Sequence, residues 1–336
     1  MKILICGGLS QDSQVILELL SKENIKIDVI VRRSSGNISQ ILTDLFRQKK
    51  INLIYLDLTN TFELAKVVND GSYSHIFNFA SNSYVQNSNL DIHNCIKENH
   101  TITYNILNAI LNANTNPWLM QPLSSEIFGN PDVYPQDEDA LIRPINAYGI
   151  SKVNDMFLCD LYEDIFDLKI FRPILYNHES IYRGRQFFTK KIFNFVAQLK
   201  SSDRINMEPL KFYNAKSKRD WGYAYEFCSI FYDAAQKGIT GKFILGTGKS
   251  ISVENFIEEV LNCYDIQFKK KTNSDGLLEF YDDHQNLIAG EVSRDLNDQK
   301  RNLVANSNLI KDALNIKVLL SGVEVIKKLY KDYEKA

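Results

Sequence analysis

Short apolar runs alternate with amphipathic stretches along the first half of the chain. Apolar runs rich in β-branched residues predict buried strands at 2–6, 25–31, 51–56, 75–80, 117–123 and 168–174. Apolar residues at helical spacing predict helices at 14–20, 61–69, 92–112 and 148–166. Repeated βα units of this kind predict an α/β fold of the Rossmann type, with a doubly wound parallel sheet and right-handed crossovers.

The regular alternation weakens after about residue 178. One more strand is predicted at 242–248 and a helical tail at 308–333, whereas the polar segment 269–302 is expected to be loop-like. We therefore expect a Rossmann domain and a smaller, interleaved substrate-binding lobe. The Rossmann domain is expected to comprise 1–178 with a return at 214–246, and the lobe 179–213 and 247–336.

Composition narrows the classes of function. A chain of 336 residues with a formal net charge of -2 lacks the basic excess typical of nucleic-acid binders. No apolar run reaches the roughly 18 residues that a membrane span requires, and the first apolar run ends at Gly7, too early for a signal peptide. The five cysteines form no C-x-x-C pair, which favours reduced thiols in a cytoplasmic protein over disulfides or a metal site.

Three segments indicate a dinucleotide site. The segment GGLSQDS (7–13) stands between the first strand and the first helix, where phosphates bind, although its few glycines also suit a plain turn. Arg32 and Arg33 end the second strand in place of the acid that binds NAD, and two guanidiniums favour the extra phosphate of NADP. An exposed basic turn is the alternative. Asp57 is placed either for the adenine end or to cap the next helix.

Two pairs of residues are candidates for catalysis. Tyr148 and Lys152, in AYGISK, share one helix face. The ammonium is expected to lower the pKa of Tyr148, so that the phenolate accepts a hydroxyl proton, although this spacing also arises by chance. Ser124 and Glu126, in PLSSEIFG, follow a buried strand and are suited to bind a substrate oxygen and to remove a carbon-bound proton. A capped helix start is the alternative for this pair.

With these pieces in place, the sequence resembles the GDP-mannose 4,6-dehydratase family of the extended short-chain dehydrogenase/reductases. The most specific segments are LYNHESIYRGRQFFTKKI (175–192) and KSKRDWGYAYEF (216–227). VRRSSG, DLT, SSEIFG and AYGISK follow the family's order at compatible distances. The resemblance covers most of residues 1–262.

The resemblance also sets the register of the first loop. The shared Gln11 and Asp12 align GGLSQDS with the family's GITGQDG. Gly7 then keeps the first glycine, while Ser10 and Ser13 replace the second and third. The loop is therefore expected to bind the dinucleotide phosphates through amides at the helix N-terminus.

The resemblance implies specific roles for residues of this chain. The implied catalytic residues are Ser124, Glu126, Tyr148 and Lys152. The implied NADP contacts are Gly7, Ser10, Gln11, Asp12, Arg32, Arg33, Asp57, Leu58, Phe79, Ser81, Tyr148, Lys152, Asn177, His178 and Arg183. The implied GDP-sugar contacts are Ser83, Ser124, Asn177, Lys191 and Arg219. No metal is implied.

The implied reaction converts GDP-mannose, or a related GDP-hexose or GDP-heptose, to the GDP-4-keto-6-deoxy sugar by internal hydride transfer. A homodimer or homotetramer that supplies deoxysugar for polysaccharide synthesis is expected. Arg294 and Arg301 are the candidates for the arginine of the family's RPxEVD segment. One alternative is a nucleotide-sugar 4-epimerase or 4-reductase, against which the retained Glu126 argues. The other is a cofactor-binding protein without catalysis, against which the complete catalytic set argues.

Overall fold

A computed structural model of the chain describes residues 1–33, 36, 38–83, 89–201, 207–293 and 302–335. In the first half the elements are β1 (Lys2–Cys6), α1 (Gln11–Leu20), β2 (Lys26–Val31), α2 (Gln40–Arg47), β3 (Ile51–Tyr55), α3 (Thr61–Gly71), β4 (His75–Asn78), α4 (Ile92–Leu111), β5 (Trp118–Met120), β6 (Leu123–Ser124), a 3-10 turn (Ser125–Phe128), α5 (Ala147–Phe166) and β7 (Ile170–Leu175). In the second half they are β8 (Asn177–Glu179), α6 (Phe188–Lys200), β9 (Leu210–Tyr213), β10 (Lys218–Tyr223), α7 (Ala224–Lys237), β11 (Gly241–Leu245), β12 (Ser250–Ser252), α8 (Val253–Cys263), β13 (Lys269–Thr272), β14 (Leu278–Tyr281), β15 (Leu287–Ser293), β16 (Asn302–Leu303), α9 (Asn308–Leu314) and α10 (Val323–Tyr333).

A parallel sheet forms the centre of the fold. Its strand order is β11-β7-β5-β4-β1-β2-β3, with β6 paired to β7. Its apolar strands are buried on both faces because helices cover both: α1, α2, α7 and α9 pack on one side, and α3, α4 and α5 on the other. The predicted doubly wound α/β fold is confirmed, and the carboxyl ends of its strands meet at one edge.

Two smaller sheets stand beside that edge. In the first, β10 pairs with β8, β12 and β16; in the second the order is β13-β14-β15-β9. Helices α6, α8 and α10 pack against them through aromatic side chains, among them Phe193 and Phe256. Within the described ranges, no helix is long and apolar enough to cross a membrane.

The expectation of a loop-like segment over 269–302 is wrong for its described part. Strands β13, β14 and β15 form two antiparallel pairings there. A turn whose Asn273 side chain accepts backbone N–H groups joins the first two, and Phe280 is fully buried. The sequence did not predict this hairpin, because β13 is exposed along its whole length and so carries no apolar residues that would indicate a strand. The predicted helical tail, 308–333, is two separate helices, α9 and α10. Asn315, in the left-handed conformation, ends α9.

Candidate active site

A cleft of about 870 Å³ opens at the carboxyl ends of the central strands. One wall is formed by the ends of β1, β2, β4, β6 and β7, and the other by β8, β9, β10 and the start of α6. Ligands of open α/β sheets bind at this edge. Among the described residues to which the resemblance assigns a role, all but Arg33 and Asp57 line the cleft.

The first loop is shaped by Gly7 and two serines. Gly7 has a φ of +84°, and a Cβ there would lie 2.6 Å from the backbone nitrogen of Ala80. The Ser10 hydroxyl accepts a hydrogen bond from the Ser13 amide at 3.1 Å and so caps α1, while the Ser13 hydroxyl donates to the Gly7 carbonyl at 2.9 Å. The loop therefore keeps its tight turn with serines where the family has glycines.

Gln11 and Asp12 join this loop to the segment after β7. The Gln11 amide donates to the His178 carbonyl and accepts from the Ser180 amide, both at 2.9 Å. Asp12 faces the His178 ring at 3.0 Å. Desolvation opposes both charges, yet each partner favours the other's charged form, so the pKa of Asp12 is lowered and that of His178 raised.

The two arginines after β2 take different positions. Arg32 lines the cleft and forms an ion pair with Glu98, which lines it too. Arg33 donates to the Tyr55 carbonyl at 3.0 Å and does not line the cleft. The structure therefore brings only the first of the two predicted arginines to the site.

The remaining cofactor candidates of this wall follow β3 and β4. Asp57 lies outside the cleft lining, and hydrogen bonds from Thr59 lower the pKa of its carboxyl. Asp57 makes a turn with Thr59, and the side chain of Asn60 caps α3, so the alternative of a capping role for Asp57 is wrong as well. Leu58, Phe79, Ser81 and Ser83 line the cleft. The Ser81 hydroxyl is buried without a hydrogen-bond partner among the described residues, which suits a ligand atom.

The four catalytic candidates converge at one end of the cleft. Ser124 ends β6, Glu126 lies in the 3-10 turn that follows, and Tyr148 and Lys152 lie in the first turns of α5. The Ser124 hydroxyl accepts from the Glu126 amide at 3.3 Å and hydrogen-bonds Tyr148. A hydroxyl, a carboxylate, a phenol and an ammonium thus share one small volume.

The expected lowering of the pKa of Tyr148 is wrong as a net effect. Desolvation in the cleft raises this pKa most, and the charge of Glu126 adds to the rise. Lys152, with its ammonium 5.9 Å from the ring centroid, acts in the predicted direction but is outweighed. The spacing in the sequence predicted the ammonium beside Tyr148, but it could not predict that the phenol is buried.

Two polar neighbours of this set were not found from the sequence. Lys152 forms a buried ion pair with Asp155 at 3.1 Å and donates to the Pro122 carbonyl. Asn146 donates from its side-chain amide to Glu126 at 2.6 Å. The i,i+3 spacing of Asp155 and the asparagine before a helix were available signals, but the burial of the ion pair and the bond from Asn146 to Glu126 depend on the tertiary fold.

The opposite wall carries the sugar-nucleotide candidates. Asn177 begins β8, Lys191 lies on α6 and Arg219 lies on β10; all three line the cleft. Arg183 lines it as well, pairs with Glu179 at 3.2 Å and stacks on a phenylalanine ring. Arg294 and Arg301 lie outside the described residues. Among the described residues, no three His, Cys, Asp or Glu side chains converge on a metal position.

A sequence model of the family described as GDP-mannose 4,6 dehydratase matches residues 4–329. The chain belongs to the GDP-mannose 4,6-dehydratase family. A GDP-mannose 4,6 dehydratase of Drosophila melanogaster is 29% identical over 271 residues, which are 78% of this chain and 68% of that protein. A GDP-mannose 4,6-dehydratase of Sinorhizobium fredii is 29% identical over 262 residues, which are 76% of this chain and 74% of that protein. The chain is thus an enzyme of the GDP-mannose 4,6-dehydratase family.

Solved structures agree with the fold of this dehydratase family member. A UDP-glucose 4-epimerase from Thermotoga maritima superposes with a TM-score of 0.82 at 15% identity, over 100% of this chain and 99% of that one. A dTDP-glucose 4,6-dehydratase from Streptomyces venezuelae, with NAD bound, gives a TM-score of 0.81 at 14% identity, over 100% and 97%. At these identities the likeness shows the fold alone.

Proposed function

We propose that the chain is a GDP-sugar 4,6-dehydratase acting on GDP-mannose or a related GDP-hexose or GDP-heptose. The observation that carries the proposal is the convergence of Ser124, Glu126, Tyr148 and Lys152 in one cleft. A redox step at C4 needs the tyrosine and lysine, and elimination across C5 and C6 needs a separate base, which is Glu126. The carboxylate is what distinguishes this set from one that only oxidises and reduces.

A nicotinamide dinucleotide fits the first wall of the cleft. Gly7 has no side chain, so the loop keeps open a space that a Cβ would fill. Ser81 offers a buried hydroxyl without a protein partner among the described residues. When bound, such a cofactor supplies the hydride acceptor for C4 and the hydride donor for C6. Arg32 supports NADP over NAD because its guanidinium matches a 2′-phosphate, although Glu98 competes for that guanidinium.

The nucleotide sugar is assigned to the opposite wall. Lys191 and Arg219 place two cations beside the cleft, where paired charge-assisted hydrogen bonds suit a diphosphate. In this arrangement the Rossmann domain over 1–178 and 214–246 holds the cofactor. The lobe over 179–213 and 247–336, together with Arg219 on β10 of the adjoining small sheet, holds the GDP portion.

The side chains divide the chemistry among them. Ser124 hydrogen-bonds the sugar O4. Tyr148 accepts the O4 proton in its phenolate form, which Lys152 favours against the desolvation that raises the pKa of this phenol. Glu126 then removes the C5 proton, which the neighbouring C4 ketone has made more acidic, and water leaves from C6. The hydride taken from C4 returns to C6, so no external reductant is consumed.

Mass spectrometry tests this proposal. The purified protein, incubated with GDP-mannose and NADP and without reductant, is expected to give a product lighter by one water. A Glu126→Gln variant should bind NADP normally and lose no water from the sugar. If no GDP-sugar loses water, the proposal is wrong, and a product of unchanged mass but altered C4 configuration would establish the 4-epimerase instead.

Assembly and location form a further part of the proposal. Helix α5 exposes Ile150, Phe157, Leu161 and Ile165 on its outer side, an apolar stripe that supports a homo-oligomer. The five cysteines are free thiols, which supports a reducing compartment such as the cytoplasm. Light scattering after gel filtration should give at least twice the chain mass, and Leu161→Glu should lower it.

A further inference from the structure

Asn146 makes two hydrogen bonds in opposite directions at the start of α5. Its side-chain oxygen accepts from the Gly149 amide at 2.7 Å, which caps the helix. Its side-chain nitrogen donates to the Glu126 carboxylate at 2.6 Å. Asn146 is buried, so water does not readily replace either bond.

The backbone strengthens this connection at a second point. A Cβ on Gly149 would lie 2.7 Å from the Glu126 carbonyl oxygen and 3.1 Å from the ring of Pro144. The helix therefore approaches the turn that carries Glu126 as closely as backbone allows. The first turn of α5, which contains Tyr148, and the turn that contains Glu126 are held together as one unit.

A carboxylate on a two-carbon side chain rotates unless something fixes it. A donor on one oxygen, itself fixed by a helix cap, restrains the rotation of the carboxylate and hence the direction in which the carboxylate meets the substrate. A serine or aspartate at this position would also cap the helix, but neither would donate an amide N–H to the carboxylate.

We propose that Asn146 is a positioning residue for the base Glu126, holding its carboxylate in register with Tyr148 so that proton removal from C5 follows oxidation at C4. This role rests on the proposed function. The competing explanation is that Asn146 only caps α5. The two explanations differ in which step of the reaction a substitution slows.

The test uses Asn146→Ser, which keeps a capping oxygen and removes the donor to Glu126. Asn60 caps α3 in the same way, accepting from the Glu63 amide at 3.2 Å, and does not line the cleft, so Asn60→Ser is the matched control. Three quantities are measured with GDP-mannose and NADP. They are the rate of appearance of reduced nicotinamide, deuterium incorporation at C5 from heavy water, and water loss.

Asn146→Ser is expected to keep the rate of nicotinamide reduction and NADP affinity and to accumulate the reduced form. Deuterium incorporation at C5 should fall by about 100-fold, the cost of a misplaced reacting group. Asn146→Asp, which sets a second carboxylate against Glu126, should lose this exchange at least as strongly. Asn60→Ser should match the wild type in all three quantities.

Unchanged C5 exchange in Asn146→Ser would overturn the proposal, as would an equal fall in nicotinamide reduction and C5 exchange, which a purely structural role predicts. A wild-type protein that removes no water from GDP-mannose or its relatives would overturn the proposed function, and this role with it. An active wild type with an unaffected Asn146→Ser would overturn this role alone.

Discussion

The buried ion pair of Lys152 and Asp155 gives the sharpest prediction for stability. The two charged atoms are 3.1 Å apart, and their side chains are 3% and 1% exposed. Desolvation disfavours both charges, but the Asp155 carboxylate keeps the pKa of Lys152 raised. Asp155→Asn removes the countercharge and leaves the ammonium with the Pro122 carbonyl. Breaking such a pair on one side costs about 3 to 5 kcal/mol, much more than an exposed pair.

Urea unfolding of wild type and variants measures this cost. Asp155→Asn is expected to lower the free energy of unfolding by about 3 kcal/mol, without a change in the slope against urea. The double variant Lys152→Met/Asp155→Leu should recover most of that loss, because it leaves no unpaired charge. A loss of less than about 1 kcal/mol in the single variant, as at an exposed pair, would refute the reasoning.

Three further predictions concern cofactor binding and pH. Gly7→Ala should abolish NADP binding in a fluorescence titration, because its Cβ would lie 2.6 Å from the Ala80 backbone; ordinary affinity would show that this loop does not approach β4 as described. Glu98→Gln should strengthen binding of NADP more than of NAD by releasing Arg32, and equal gains for both would contradict a phosphate role for Arg32. The pair of Asp12 and His178 should stabilise the fold most at intermediate pH. The pKa of His178 is raised, so its contribution is lost as the pH rises through that value; the pKa of Asp12 is lowered, so its contribution is lost as the pH falls through that value. His178→Gln should flatten the melting temperature against pH, and an unchanged profile would show that the pair does not couple to unfolding.

The central sheet was predictable because its strands are apolar on both faces and its helices carry an apolar stripe. β1 and β2 occur within a residue of the predicted bounds. The strands of 269–293 were not, because their edge strand β13 is polar and the buried side chains of β14 and β15 are few. These are Phe280, Ile288, Ala289 and Glu291, which do not alternate along the sequence with exposed residues. Patterns find elements that bury a whole face and miss those that bury a few scattered residues.

The candidate site shows the same division. Ser124, Glu126, Tyr148 and Lys152 could be named because residue type and strand ends point to chemistry. The bond from Asn146 to Glu126 could not, since only the packed fold brings these two residues together. For Asp155 the sequence showed the i,i+3 spacing to Lys152 and could not show that the pair is buried. The local sequence also gave no reason to separate Arg32 from Arg33. In the fold, Arg32 lines the cleft beside Glu98, whereas Arg33 lies outside the cleft lining and donates to the Tyr55 carbonyl.

The position of one label tests the central claim most directly. GDP-mannose carrying deuterium at C4 is incubated with the protein and NADP, and the product is examined by NMR. Internal hydride transfer predicts deuterium at C6 of a 4-keto-6-deoxy sugar, with no reductant added. Deuterium that remains at C4, or that is absent from C6 of a dehydrated product, would contradict the account.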